Sequence, residues 1–179
     1  MIDFTFHTLE TAPEASKSML TNIKEVYGFV PNLFAYMAEA PASLEAYLTL
    51  NKLIEATSFT PAQQQVALLA ASVQNQCEFC SVAHRAIGKM KQTSQQTLDA
   101  LDSGKEIEDK KDAALAAFTQ AIVETRGRPE EATIEMFLTA GFTKQNILEV
   151  MLIVSIKTLS NYTNHLTLPE PNPELLSML

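Results

Sequence analysis

Thr60-Pro61-Ala62-Gln63-Gln64-Gln65-Val66-Ala67-Leu68-Leu69-Ala70-Ala71-Ser72 reads as a helix from its first residue. The Thr60 hydroxyl can accept from the free N–H groups of a first turn, and Gln63, three residues on, can return a bond to the Thr60 amide. Pro61 takes the first helical position, where its missing N–H leaves nothing unpaired. Val66, Leu69, Ala70 and Val73 then recur at helical spacing. No other start in the chain is as well specified, and it predicts a buried helix running to about Asn75.

Working outward, the eight prolines and most of the five glycines fall at the ends of similar segments. They divide the chain into about nine helices and leave no convincing strand, so the expected fold class is all-α. Thr11-Ala12-Pro13-Glu14 opens the first helix and Gly28 closes it; Pro31 and Pro41 open two more, the second holding Leu44, Tyr47, Leu48, Leu53 and Ile54. After Asn75 the chain breaks and restarts at Cys77, in a helix ending near Lys89 and Lys91. Thr93 with Gln96 predicts another capping box, closed by Gly104, and Lys105 to Asp112 reads as an exposed charged link into a helix over 113–126. Gly127 and Pro129 punctuate again, and a short helix ends at Gly141. Thr143 caps the longest segment, to about Asn164, which is apolar nearly all round and predicts a central core helix or a subunit interface. Phe59-Thr60 and Phe142-Thr143, with Gln63 and Asn146 at matching cap positions, hint at an internal duplication. The expected organisation is one domain over 1–179, with a core over 30–165 and an extended tail over 166–179 marked by Pro169, Pro171 and Pro173.

A formal charge of −8 leaves no basic footprint for nucleic acid and no general attraction to anionic membranes. Met1 to Glu10 has neither the basic start nor the apolar run of a secretory signal, and the most apolar window, 150–156, is too short to span a bilayer. These features predict a cytoplasmic protein with no nucleic-acid or membrane partner. An apolar fraction of 46% predicts self-association into a dimer, trimer or hexamer.

Reactive side chains are grouped in one place, Gln76-Cys77-Glu78-Phe79-Cys80-Ser81-Val82-Ala83-His84, which contains both cysteines of the chain. If this stretch opens a helix, Cys77, Cys80 and His84 share one face, with the sulfurs near the positive end of the helix dipole. That pattern suits a redox dithiol with its own base, because the thiolate is the form that attacks peroxides and disulfides. The alternatives are a zinc site completed by His7, His165 or an acid, and a non-enzymatic helical module in which the cysteines are buried small hydrophobes. By themselves His7 and His165 read as satisfied or exposed imidazoles, Phe79 as core, and Gln65 as an ordinary cap-region or surface residue.

The capped helix at Thr60-Pro61-Ala62-Gln63 followed by Asn75-Gln76-Cys77-Glu78-Phe79-Cys80 and His84 resembles the alkylhydroperoxidase AhpD-like and carboxymuconolactone decarboxylase superfamily. The resemblance runs from about Val30 to Met90 and returns in Ala140-Gly141-Phe142 through Asn161 and His165. It implies an all-helical fold, homo-oligomers, and a thiol peroxidase or disulfide reductase that needs no cofactor and no bound metal, acting on a hydroperoxide and recycled by a dithiol reductant. It also implies that Cys80 attacks the peroxide, Cys77 donates a proton and closes the disulfide, and His84 is the relay base. Where the family relay has a glutamate, twelve residues before Cys77, this chain has Gln65, and the position two after Cys77, a histidine in some members, is Phe79. A glutamine can orient a proton carrier but cannot accept a proton near neutral pH, which leaves Glu78 as the nearest acid in sequence. A lyase acting as a carboxymuconolactone decarboxylase would share the fold without needing the dithiol.

Overall fold

The computed structural model describes residues 3–179; the first two residues of the expected 1–179 domain lie outside the described residues. Ten helices and no strand occur among them: α1 (Glu14–Tyr27), α2 (Asn32–Met37), α3 (Pro41–Glu55), α4 (Pro61–Gln74), α5 (Glu78–Met90), α6 (Gln95–Ser103), α7 (Lys110–Thr125), α8 (Glu131–Thr139), α9 (Lys144–Thr167) and α10 (Pro173–Leu176). The all-α class is as read from the proline and glycine punctuation. None of the helices is by itself long and apolar enough to cross a membrane.

Helix α4 is the axle. Every residue from Gln64 to Ser72 is buried, and the helix packs on α7, α5 and α9 at once. Its start is the expected capping box, with Thr60 Oγ1 accepting from the Gln63 amide and Gln63 Oε1 accepting from the Thr60 amide. Thr143 and Asn146 build the same box at the start of α9, and Phe59 and Phe142, the residues preceding the two caps, pack edge to face at 5.8 Å. The two similar stretches thus begin their helices side by side.

Two details differ from the sequence expectation. Thr93 makes no capping box: Ser94 precedes α6, the Thr93 hydroxyl donates to the Ala62 carbonyl, and Gln96 reaches across to the backbone of Glu106 and Glu108. Tertiary partners took both side chains from the local motif. Residues 166–179 are also more than an extended tail, since α9 continues to Thr167 and Pro173 starts the four-residue α10, which packs on α5 with Leu175 buried. Asn172 and Asn32 hold that segment by reciprocal hydrogen bonds, Asn172 Oδ1 accepting from the Asn32 amide at 2.9 Å and Asn172 Nδ2 donating to Asn32 Oδ1 at 3.1 Å.

The apolar interior has two parts. One joins α4, α6, α7, α8 and α9, and stacks Phe137 between Phe118 at 4.3 Å and Phe142 at 4.4 Å. The other joins α1, α2, α3, α5 and α10 around Cys77 and Cys80. Helices α4 and α9 run between the two and carry one into the other. Truncating Phe137 to alanine removes both stacked contacts from a fully buried site, and a loss of about 3–5 kcal/mol is expected in urea denaturation.

Candidate functional site

The turn between α4 and α5 sets the geometry of the cysteines. Gln76 takes the left-handed conformation, φ 58°, its amide donates to Val73 O, and the amide of Cys77 donates to Ser72 O at 3.0 Å. This is the paired closure that ends many helices, here with glutamine where glycine is usual. It reverses the chain within three residues. Cys77 therefore caps α5 and Cys80 lies in its first turn, where unpaired amides favour negative charge.

Both sulfurs are buried, each cysteine only 2% exposed, and they are not bonded to each other. The Asn164 amide of α9 lies across them, Nδ2 donating to Cys80 Sγ at 3.1 Å and more weakly to Cys77 Sγ at 3.6 Å. The two thiols are pushed in opposite directions. Hydrogen bonding with Cys77, with the Lys157 charge and the Asn161 and Asn164 amides, lowers the Cys80 pKa against the opposing effect of burial. The same bond, reinforced by burial, raises Cys77. The charge belongs on Cys80 and the proton on Cys77.

His84 is buried one turn beyond Cys80, but its nitrogens serve other partners. Nδ1 lies 3.0 Å from Gln65 Oε1, and Nε2 lies 2.9 Å from the Nζ of Lys157. An ammonium only donates, so Nε2 is the acceptor, and Nδ1 carries the hydrogen given to the Gln65 carbonyl. Burial and the adjoining Lys157 charge hold His84 well below its ordinary pKa. It is thus a neutral imidazole oriented by Gln65, with its lone pair on Lys157. Gln65 is no surface residue: it is buried on the inner face of α4.

Of the sequence candidates, Cys77, Cys80, His84 and Gln65 come together. Glu78 is exposed, so the nearest acid in sequence is outside the site. His7 instead contacts Glu39 at 2.5 Å, and His165 lies exposed against Tyr162. Among the described residues no group of three or more His, Cys, Asp or Glu is disposed to hold a metal ion, and the Lys157 ammonium stands where a cation on His84 would have to bind. Phe79 is core, as expected.

Sequence reading missed the α9 wall. Lys157, Asn161 and Asn164, four and three residues apart, present one face of α9 to the cysteines and are all buried. Asn161 Oδ1 accepts from Asn75 Nδ2 at 2.9 Å, which turns its own Nδ2 toward Cys80, where it favours the thiolate without a fully formed hydrogen bond. The signal was a lysine and two asparagines at helical spacing inside the most apolar helix.

The stretch 41–122 matches the family model described as the carboxymuconolactone decarboxylase family. No curated protein matches the chain. Among solved structures, an uncharacterized peroxidase-related protein from Ralstonia eutropha JMP134, described as an alkylhydroperoxidase AhpD core, superposes with a TM-score of 0.84 at 23% identity, covering 96% of this chain and 93% of that one. An uncharacterized peroxidase-related protein from Silicibacter sp. TM1040 gives 0.81 at 19% identity, covering 97% and 92%. The debrominase Bmp8 gives 0.75 at 17% identity, covering 97% of each chain. At these identities the likeness is one of fold, and a fold that hosts proteins named for such different reactions does not choose the chemistry.

The pair of shifts makes stability depend on pH in a definite direction. Below the ordinary thiol value of about 8.5 the unfolded chain protonates Cys80 while the folded chain keeps it ionised, so stability falls as pH falls toward the lowered folded value. Below about 6.5 the unfolded chain also protonates His84, which the folded chain keeps neutral, and the fall steepens. Urea midpoints measured from pH 8 down to 5.5 should decline throughout, and Cys80→Ser should flatten the part above pH 6.5.

Proposed function

We propose that this chain, whose residues 41–122 match the carboxymuconolactone decarboxylase family model and whose fold is that of an AhpD core, is a thiol-dependent peroxidase that reduces hydroperoxides with the Cys77/Cys80 dithiol and is regenerated by a cellular dithiol. The observation that carries this reading is the Asn164 amide laid across both sulfurs, donating to Cys80 Sγ in the first turn of α5, with the Cys80 pKa lowered and that of Cys77 raised. A lyase would have no use for that arrangement, and inert buried thiols would not be ionised.

The Cys80 thiolate attacks the terminal oxygen of the hydroperoxide; the S–O bond forms as the O–O bond breaks, leaving Cys80 as a sulfenic acid and the remainder as an alkoxide. The Cys77 thiol protonates the alkoxide to an alcohol. The resulting Cys77 thiolate attacks the Cys80 sulfur and expels hydroxide, and a disulfide joins the pair. A dithiol reductant then returns two electrons through a mixed disulfide. His84 and Gln65 hold the Lys157 ammonium in position beside the thiolate, which in this chain takes the place of a carboxylate-backed base. Cys80, Cys77, His84 and Gln65 are thus the proposed functional residues, with Lys157, Asn161 and Asn164 added.

Intact mass after one equivalent of peroxide should show loss of two hydrogens in the wild type, a trapped sulfenic acid in Cys77→Ser, and no change with no peroxide consumption in Cys80→Ser. Peroxide consumption by Cys80→Ser at the wild-type rate would rule the mechanism out.

The reading includes self-association. Leu148, Tyr162 and Leu166 of α9, with Leu168 beyond it, are each more than half exposed, from 54% to 70%, and such a row is what a second copy would cover. Sedimentation at micromolar concentration should give an oligomer, and Leu166→Glu should shift it toward monomer.

A further inference from the structure

The peroxidase cycle needs more protons than the two thiols hold. Reduction of a hydroperoxide to an alcohol and water ends with three hydrogens on the two oxygens. The substrate brings one and Cys77 a second, while Cys80, already ionised, brings none. The hydroxide expelled when the disulfide closes must take the third from elsewhere.

Lys157 is placed to supply it. Its side chain is 1% exposed, and it forms no salt bridge among the described residues. Its Nζ meets His84 Nε2 at 2.9 Å, a neutral partner that cancels no charge. The groups facing it are few. From α5 come His84 and Cys80; α4 contributes the neutral Gln65, and α3 the partly buried Tyr47, a phenol beside the cysteines that stays protonated, while the Glu45, Lys52 and Glu55 side chains of α3 are exposed. The only ionisable group of α2 is Tyr36, and the charges of α7 lie toward its two ends. On α9 itself the nearest acid is Glu149, two turns away and committed to Ser58. The charge that offsets the buried ammonium is therefore the Cys80 thiolate. Once Cys80 enters the disulfide that anion is gone, and an unpaired ammonium in an apolar interior is strongly disfavoured.

We infer that Lys157 is the proton store of the redox cycle: it gives one proton to the departing hydroxide as the disulfide closes, stays neutral while the pair is oxidised, and regains the proton when a dithiol restores the Cys80 thiolate. The balance then closes inside the site. Thiol, thiolate, ammonium and hydroperoxide become disulfide, neutral amine, alcohol and water, with no proton drawn from solution. Reduction by a dithiol returns two electrons and two protons, one to Cys77 and one to Lys157. His84 is the positioning residue: its Nε2 lone pair receives the ammonium and can equally face the neutral amine once its ring is free to accept from either. This inference rests on the dithiol being redox-active, and its test does not require peroxide to be the substrate.

The experiment counts protons during oxidation of the full-length reduced protein by diamide, which takes up two electrons and two protons. Thiolate absorbance at 240 nm first establishes that one cysteine is ionised at the working pH. A pH-indicator dye in weak buffer then follows the conversion. With Lys157 as the store, the two protons come from Cys77 and Lys157, and no net proton is taken from solution. Lys157→Arg keeps the charge but cannot release a proton, and should take up one proton per disulfide. Uptake of one proton by the wild type would mean that Lys157 stays charged, and overturns the inference; so would zero uptake without a thiolate signal, because two neutral thiols would then account for the count. Should Lys157→Arg not fold, Lys157→Met serves: its thiolate signal should shift to higher pH, and an unchanged shift position overturns the pairing of Lys157 with Cys80. If the proton count holds but peroxide leaves both thiols free, the store stands and the peroxide substrate is wrong.

Discussion

A buried positive charge is tolerable only if something negative is buried with it, and this molecule resolves that constraint with a thiolate. Among the described residues Lys157 is the only buried lysine or arginine, and the site around it has no carboxylate. The Lys157 charge favours the Cys80 thiolate, which burial alone would disfavour. His84, Gln65, Asn161 and Asn164 are the hydrogen-bonding frame that makes the pair geometrically single-valued, and each of them is buried on a helix that also carries core side chains. The chemistry and the packing therefore cannot be separated: the same α4, α5 and α9 that enclose the apolar centre present the polar atoms.

This arrangement explains how a glutamine can stand where a relay acid is expected. A glutamate at position 65 would add an anion next to an imidazole whose other nitrogen already faces an ammonium. With Gln65 the chain keeps the hydrogen bond to His84 Nδ1 and omits the charge, so the local balance stays at one cation and one anion. In the proposed mechanism the amide at position 65 and Lys157 are two halves of one solution, in which positive charge beside the thiolate replaces a base behind the histidine.

Stabilising a thiolate is also a choice about reactivity. A lowered Cys80 increases the ionised fraction at neutral pH, while burial keeps the sulfur from large oxidants. In the proposed cycle, closure to a cysteine three residues away limits the lifetime of the sulfenic acid and with it the chance of further oxidation. The covering segment over the cysteines, α10 with Leu175 and its asparagine clasp to Asn32, belongs to this shielding.

What could be read along the chain was what local physics controls. The all-α class, nine of the helices, the capping boxes at Thr60 and Thr143, and the common face of Cys77, Cys80 and His84 all follow from interactions within about four residues, where the identity of each residue is its own evidence. The Thr93 box failed because Ala62, Glu106 and Glu108, distant in sequence, competed for the same side chains. The site's charge logic was beyond such reading. Lys157 lies 73 residues from His84, and nothing in its neighbours says that its side chain turns inward. Gln65 likewise looks like surface until α4 is surrounded on all sides. Sequence determined which residues could react; only the packing of α9 across α4 and α5 decided which of them is ionised, because a pKa is set by the charges and solvent brought next to a group, and those arrive through contacts the chain makes with itself at long range.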